Sequence, residues 1–323
     1  MNGDVTMCTS LTYENLAHQH LLARTMDFPT TTPWRPIFLP RRFEWHTGLA
    51  TTMVARYAYL GGGRLPVNWP EPLMADGVNE TGLTCAELYL PHAARYADQP
   101  APKKINLTPQ DFINWVLAQH RNLAEVVADL PHVQLVAQSW ADDDFVYPFH
   151  WLLSDNTGQT LVIEPTGEPL KAQVNPSGIL TNTPVLTTHL QNLAKLLDQP
   201  SSKFTTNTIT AAQNWHAQKR PLPTGDVPTA RFNRMALLRW GSPTVSAVTT
   251  NAIIMNWLAQ VSLPYDAHRR HQLSHNYTHY RAVINATTQE YLFWSRTAEQ
   301  PRHLRLTPAM AETWTVPFIF PIN

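Results

Sequence analysis

Cys8 is the side chain in this sequence best suited to nucleophilic chemistry, and its place near the start of the chain decides what that chemistry is. It lies in Met7-Cys8-Thr9-Ser10-Leu11, directly after a methionine. Trimming the chain to begin at Cys8 gives one residue both a thiol and a free α-amine. The thiolate is a strong nucleophile, and the amine, with a reference pKa of about 7.7–8.0, takes up a proton near neutral pH. That is a nucleophile with its own base. Untrimmed, Cys8 is an ordinary thiol near a polar terminus. A compact Arg24-Thr25-Met26-Asp27 segment follows shortly afterwards. The second cysteine, Cys85, falls mid-strand between Thr84 and Ala86 and reads as a buried, inert thiol.

The elements that must position Cys8 alternate between strands and helices. Strands are predicted at Leu21-Leu22-Ala23, at Ile37-Phe38-Leu39 and over Met53 to Tyr59, with Gly61-Gly62-Gly63 breaking the pattern. Asp76 to Leu83 reads as a turn leading into a strand over Thr84 to Tyr89. A helix is predicted with Thr108 as its cap, Pro109 in its first position and Asp111 in its first turn, and a second over Leu123 to Leu130. Strands return at Phe149 to Leu153 and Thr160 to Glu164. Helices follow at Leu190 to Leu197, Thr229 to Trp240 and Val245 to Gln260, then strands at Tyr277 to Ile284 and Tyr291 to Ser295. The order implies an α+β fold, with large sheets covered on their outer faces by helices. The Gln199 to Ser202 and Pro221 to Gly225 stretches read as loops, and the chain reads as one domain.

Composition narrows the function classes. The 323 residues are 43% hydrophobic and 15% charged, with a formal net charge of zero. That is a globular composition, and the mixed charges form no basic stripe for nucleic acid or an anionic membrane. No apolar run is long enough to span a bilayer. Met1 to Thr6 lacks the basic start and apolar core of a secretory signal, which predicts a cytoplasmic protein. Two cysteines in a chain of this size do not make a disulfide framework. His268, His271, His275 and His279 crowd one region, but a strand-like run begins at Tyr277, and no cysteine completes a zinc set. They read as surface and loop residues, with no metal or cofactor expected.

Five segments occur in order: Met7-Cys8-Thr9-Ser10, Ala23-Arg24-Thr25-Met26-Asp27, Asp76-Gly77-Val78-Asn79-Glu80-Thr81-Gly82-Leu83, Asn175-Pro176-Ser177-Gly178-Ile179-Leu180-Thr181-Asn182-Thr183-Pro184, and Gly225-Asp226 through Arg231-Phe232. Together with Tyr277-Thr278-His279-Tyr280 they resemble the choloylglycine hydrolase family of bile salt hydrolases and penicillin V acylases. The resemblance runs from Cys8 to the end. It implies a four-layer αββα N-terminal nucleophile hydrolase over residues 8–323, with residues 1–7 a leader that is removed or absent. It further implies hydrolysis of non-peptide amide bonds, no cofactor, and a homotetramer.

The resemblance assigns roles. Cys8 is the nucleophile and its α-amine the proton carrier. Arg24 stands beside the sulfur and lowers the thiol pKa. Asp27 holds the amine. The Asn182 amide and the Tyr89 backbone N–H receive the oxyanion. Arg231 organises the polar surroundings. Each has a plain reading as well. Arg24 and Asp27 could form a surface ion pair, Asn182 serve as a turn residue, Arg231 lie on a solvated helix face, and Tyr89 be half-buried packing.

Tyr89 departs from the asparagine that bile salt hydrolases typically carry there, whereas penicillin V acylases can carry tyrosine. An aromatic ring suits a phenoxyacetyl group, so penicillin V acylase-like specificity is the first expectation. Trp34, Phe38 and Trp69 are candidates for the apolar pocket. Conjugated bile salts and N-acyl homoserine lactones are the alternative substrates. A non-catalytic binding relative that never exposes Cys8 is the alternative of another class.

Overall fold

The computed structural model describes residues 8–322 except 30–31, 66–70, 140–144, 168, 270–271 and 273–274. Two antiparallel sheets face each other. The six-stranded sheet runs Ile179–Leu180, Thr9–Glu14, His20–Phe28, Tyr277–Asn285, Glu290–Ser295, Arg302–Arg305 in spatial order. The nine-stranded sheet runs Ala172–Val174, Thr160–Ile163, Phe149–Ser154, Thr84–Tyr89, Asp76–Asn79, Tyr59–Arg64, Arg35–Leu39, Phe318–Ile319, with Leu73–Met74 on the side.

Helices cover both outer faces. Asp111–Gln119 packs on the nine-stranded sheet, whereas Pro228–Gly241 and Ala247–Ala259 pack on the six-stranded one. The two sheets touch each other through strands His20–Phe28, Tyr277–Asn285 and Glu290–Ser295 on one side and Thr84–Tyr89, Asp76–Asn79 and Tyr59–Arg64 on the other. The result is the expected α+β, four-layer αββα sandwich. The central strands are buried on both faces, which is why Phe149–Ser154 and Thr160–Ile163 read as short, largely apolar runs and why the polar residues of His20–Phe28 are buried with its apolar ones.

Several expectations are corrected. Gly61-Gly62-Gly63 does not break a strand; it lies inside Tyr59–Arg64. A Cβ on Gly61 would stand 1.9 Å from the Asp76 carbonyl oxygen, and one on Gly62 would stand 2.4 Å from the Tyr280 hydroxyl. The glycines are there because a neighbouring strand and the facing sheet come too close for side chains. The predicted Met53 to Tyr59 strand is divided between Thr52–Val54 and the start of Tyr59–Arg64. Asp76–Asn79 is itself a strand rather than part of a turn.

The first helix begins at Asp111, not Pro109, with Gln110 as its N-cap. Thr108 instead donates its hydroxyl to the Asp111 carboxylate at 2.7 Å, closing the loop before the helix. The Leu186–Leu196 helix starts a turn earlier than its apolar spacing suggested. The Thr206–Ala217 helix was not foreseen, because its Thr- and Asn-rich sequence has weak helical periodicity. Its Thr205–Thr208 capping box supplies the start signal that periodicity lacks.

Candidate active site

Cys8 immediately precedes the strand Thr9–Glu14, which lies between Ile179–Leu180 and His20–Phe28 in the six-stranded sheet. Antiparallel pairing sets Thr9 opposite Thr25 and Ser10 opposite Arg24. Register therefore brings the Arg24-Asp27 segment alongside Cys8. The Cys8 side chain is buried, and Arg24, Asp27, Asn182 and Arg231 are wholly buried. The plain readings of Arg24 and Asp27 as a surface pair, and of Arg231 as a solvated face, fail on burial alone.

The Arg24 Nη2 lies 3.1 Å from Cys8 Sγ and also donates to the Met26 sulfur at 2.9 Å. The Ala75 and Glu87 carbonyls accept from Arg24 Nη1 at 2.5 and 3.0 Å, and Asp76 Oδ2 lies 3.7 Å from Nε. Cys8 Sγ contacts the Asp27 carbonyl oxygen at 3.6 Å. The Asp27 carboxylate accepts from the Thr25 hydroxyl at 3.0 Å and the Thr278 hydroxyl at 2.5 Å, with Arg231 Nη1 4.0 Å away. Arg231 grips the nucleophile's main chain: its Nη1 donates to the Cys8 carbonyl at 2.8 Å and to Thr9 Oγ1 at 2.6 Å. Its Nη2 donates to Asn182 Oδ1 at 3.0 Å.

That last bond fixes which end of the Asn182 amide points where. With Oδ1 taken by Arg231, Nδ2 donates one hydrogen to the Tyr89 carbonyl at 2.9 Å, leaving its second N–H for another acceptor. Arg24, Asp27, Arg231 and Asn182 thus join Cys8 in one linked polar network, with the Tyr89 carbonyl bonded to Asn182.

The electrostatics bear out the direction of the Arg24 effect but not a net lowering. Arg24 does pull the Cys8 thiol pKa down, but burial outweighs it, and the net shift is upward. Asp27 adds to the rise, while Arg231 opposes it. Burial therefore works against the thiolate at this position. Burial likewise raises the Asp27 carboxyl to about 6, against the pull of Arg231 and the Thr278 and Thr25 hydroxyls. Cys85 is fully buried, its thiol pushed far up by burial, and both cysteines are free.

Sequence reasoning missed the group behind Arg24. Asp76 accepts from the Tyr280 hydroxyl at 2.5 Å, the Tyr291 hydroxyl at 2.6 Å and the Gly62 N–H at 3.0 Å. It also missed His189, whose Nε2 lies 2.8 Å from the Asn182 carbonyl oxygen and whose ring stacks on Phe232. Burial lowers the His189 pKa to about 4, so a neutral ring holds Asn182 from behind. Asp76 was visible only as part of a turn-like motif. Its partners come from strands far away in sequence.

Other expected positions fall elsewhere. Phe38 is fully buried in the nine-stranded sheet against Trp314, so it is core rather than pocket. Trp34 is buried against Phe28 and Tyr280, and Trp69 lies outside the described residues. His275 is not a surface residue: it is buried and accepts from the Asp266 N–H at 3.0 Å. His279 sits within the strand Tyr277–Asn285 and contacts the Phe28 carbonyl at 3.0 Å. His268 is exposed, and His271 lies outside the described residues. Among the described residues, no group of three or more His, Cys, Asp or Glu side chains is placed to hold a metal ion.

The chain and its fold are similar to known proteins. The chain is 32% identical over 239 residues to the bile salt hydrolase/transferase of Clostridium perfringens, covering 72% of each protein. It is 28% identical over 296 residues to a conjugated bile acid hydrolase of Lactobacillus gasseri, covering 88% of this chain and 91% of the relative. The fold superposes on a variant of conjugated bile acid hydrolase from Clostridium perfringens with a TM-score of 0.79, at 25% identity, over 98% of this chain and 97% of that one. Penicillin V acylase from Agrobacterium tumefaciens shares the fold with a TM-score of 0.72, at 21% identity, over 93% and 87% of the two chains. Residues 8–309 match the description "linear amide C–N hydrolases, choloylglycine hydrolase family", and the matched span opens on the buried sulfur itself. The chain therefore belongs to the choloylglycine hydrolase family of linear amide C–N hydrolases.

Proposed function

We propose that this enzyme hydrolyses linear amides with Cys8 as an N-terminal nucleophile, after residues 1–7 have been removed, and that it favours penicillin V-type acyl groups. The observation that carries the reading is the Cys8 sulfur 3.1 Å from Arg24 Nη2, with Asp27 and Arg231 touching the same residue and Asn182 bonded to Arg231.

The α-amine of Cys8 takes the thiol proton as sulfur attacks the substrate carbonyl. The C=O pair moves onto oxygen, where the second N–H of Asn182 and the backbone N–H of Tyr89 receive the charge. Collapse breaks the C–N bond, and the ammonium returns its proton to the leaving amine. A thioester on Cys8 remains. Water, deprotonated by the same amine, adds to the thioester, and the thiolate leaves with that proton. Asp27 orients the amine, and Arg24 stabilises the sulfur whenever it is anionic.

The lean in specificity rests on Tyr89. Its half-buried ring meets Phe28 edge-on at 6.2 Å, Tyr147 at 6.0 Å and Phe149 at 5.5 Å, and Tyr147 stacks on Phe149. An aromatic wall beside the oxyanion donors favours a flat aryl acyl group. Conjugated bile salts are the second reading, favoured by the relatives just named.

A hydrolysis panel of penicillin V, glycocholate and taurocholate tests both levels. Phenoxyacetate release is expected to be fastest and to vanish in Cys8→Ala but persist in Cys85→Ala. Faster glycine or taurine release rejects the lean, and turnover that survives Cys8→Ala rejects the nucleophile. A cytoplasmic homotetramer with no nucleic-acid or membrane partner completes the proposal. No helix among the described residues is long and apolar enough to cross a membrane.

A further inference from the structure

Arg64 ends the strand Tyr59–Arg64, one position beyond the three glycines. Residues alternate across a strand, so Arg64 shares the face of Gly62, whose absent side chain would meet Tyr280 and Tyr291 of the opposite sheet. The side chain therefore projects into the space between the sheets, where the nucleophile also lies. Its guanidinium carbon stands 5.9 Å from the Phe28 ring centre and 5.8 Å from that of Trp34. Phe28 follows Asp27 directly and touches the Tyr89 ring, so the aromatic wall beside the oxyanion donors continues to this cation.

Arg64 is 7% exposed, yet its Nε has no hydrogen-bond partner, and no carboxylate among the described residues pairs with it. The other buried arginines around Cys8 are saturated: Arg24 and Arg231 each bond several carbonyls, hydroxyls or carboxylates. A purely structural position between two aromatic rings would be filled better by an apolar side chain, because an unpaired buried donor is costly. A guanidinium held in one orientation by flanking rings presents a planar fork that matches a carboxylate.

We propose that Arg64 determines specificity by receiving a carboxylate on the substrate, remote from the amide that is cut. This rests on the amidase reading above. The carboxylate can belong to the acyl half or to the amine half, and the two sources are separable by substrate.

The test compares kcat/KM for two pairs of amides with the purified enzyme. Glutaryl anilide against pentanoyl anilide places the charge on the acyl side. Phenoxyacetylglycine against phenoxyacetylglycinamide places it on the amine side. In one pair the anionic amide is expected to be preferred roughly ten- to a hundredfold, the range of a charge-assisted hydrogen bond. Arg64→Met should remove that preference and leave the neutral amides within about threefold, and Arg64→Lys should keep part of it. No anion preference in either pair, or one that survives Arg64→Met, overturns the proposal. So does an equal loss on charged and neutral amides in both variants, which marks a structural role. The amidase reading stands in all these cases as long as neutral amides are cut in a Cys8-dependent way. Failure to cut any of the four sinks that reading and the proposal together.

Discussion

Around Cys8 the informative quantity is the balance of burial against charge. Arg24 and Arg231 supply two cations, yet the thiol pKa is shifted upward because desolvation of a buried thiolate exceeds what they return. The same balance leaves Asp27 with a pKa of about 6. Its carboxylate must be ionised to accept from Thr25, Thr278 and the amine, so kcat/KM should fall on the acid side with an apparent pKa of about 6. The stability sign is opposite. A carboxyl whose folded pKa is raised binds its proton more tightly in the folded state, so Asp27 destabilises above about 6 and less so as pH falls through that value. His189 and His279, both held at about 4 by burial, act the other way: their contribution is full above the ordinary histidine range and is lost as pH falls toward 4. Acid inactivation near pH 6 should therefore be reversible, with circular dichroism unchanged across it. Asp27→Asn should lower kcat/KM about a hundredfold or more and abolish the acid limb. An acid limb that is unaltered in that variant would exclude Asp27 as its source.

Among the elements, the strand Tyr59–Arg64 does most to set the site's geometry. Its glycines let Asp76 approach on one side and Tyr280 and Tyr291 on the other, and those groups hold Arg24 against the sulfur. Gly62→Ala should push both tyrosine hydroxyls off Asp76, destabilise the fold by about 1–3 kcal/mol and lower kcat by loosening Arg24. Gly61→Ala, facing backbone rather than side chain, should cost more. Gly167→Ala, with nothing within 4 Å of the added carbon, is the control and should leave the melting temperature unchanged. Equal melting temperatures for Gly62→Ala and Gly167→Ala would show that the sheets do not meet as closely as this. The same strand illustrates why element boundaries were hard to read. Three consecutive glycines signal a break by propensity, and only the facing sheet explains why they are tolerated in a strand.

For the whole molecule, the decisive condition is chemical rather than conformational. The proton carrier exists only when the Cys8 nitrogen is a free amine; with residues 1–7 attached it is an amide nitrogen with no basicity to offer. Active enzyme should have an intact mass that begins at Cys8, and a form retaining Met1 should show no turnover before it is cut. Full activity in a species that starts at Met1 would end the built-in-base mechanism. Light scattering should give a tetramer, and a monomeric active enzyme would remove the oligomer from the proposal.

The sequence by itself determined the chemistry on offer. Cys8, Arg24, Asp27, Asn182 and Arg231 were legible because they lie in an ordered set of motifs that resembles one family, and the four-layer sandwich came with that resemblance; strand and helix order alone gave an α+β fold with helix-covered sheets. Tertiary structure alone decided the rest. It showed that burial outweighs the arginines at the sulfur, that Asp76 and His189 stand behind Arg24 and Asn182, that Phe38 is core, and that Arg64 is a buried cation over two aromatic rings with no carboxylate paired to it among the described residues. All of these depend on strands distant in sequence meeting at close range, and pair energies and desolvation act through space rather than along the chain.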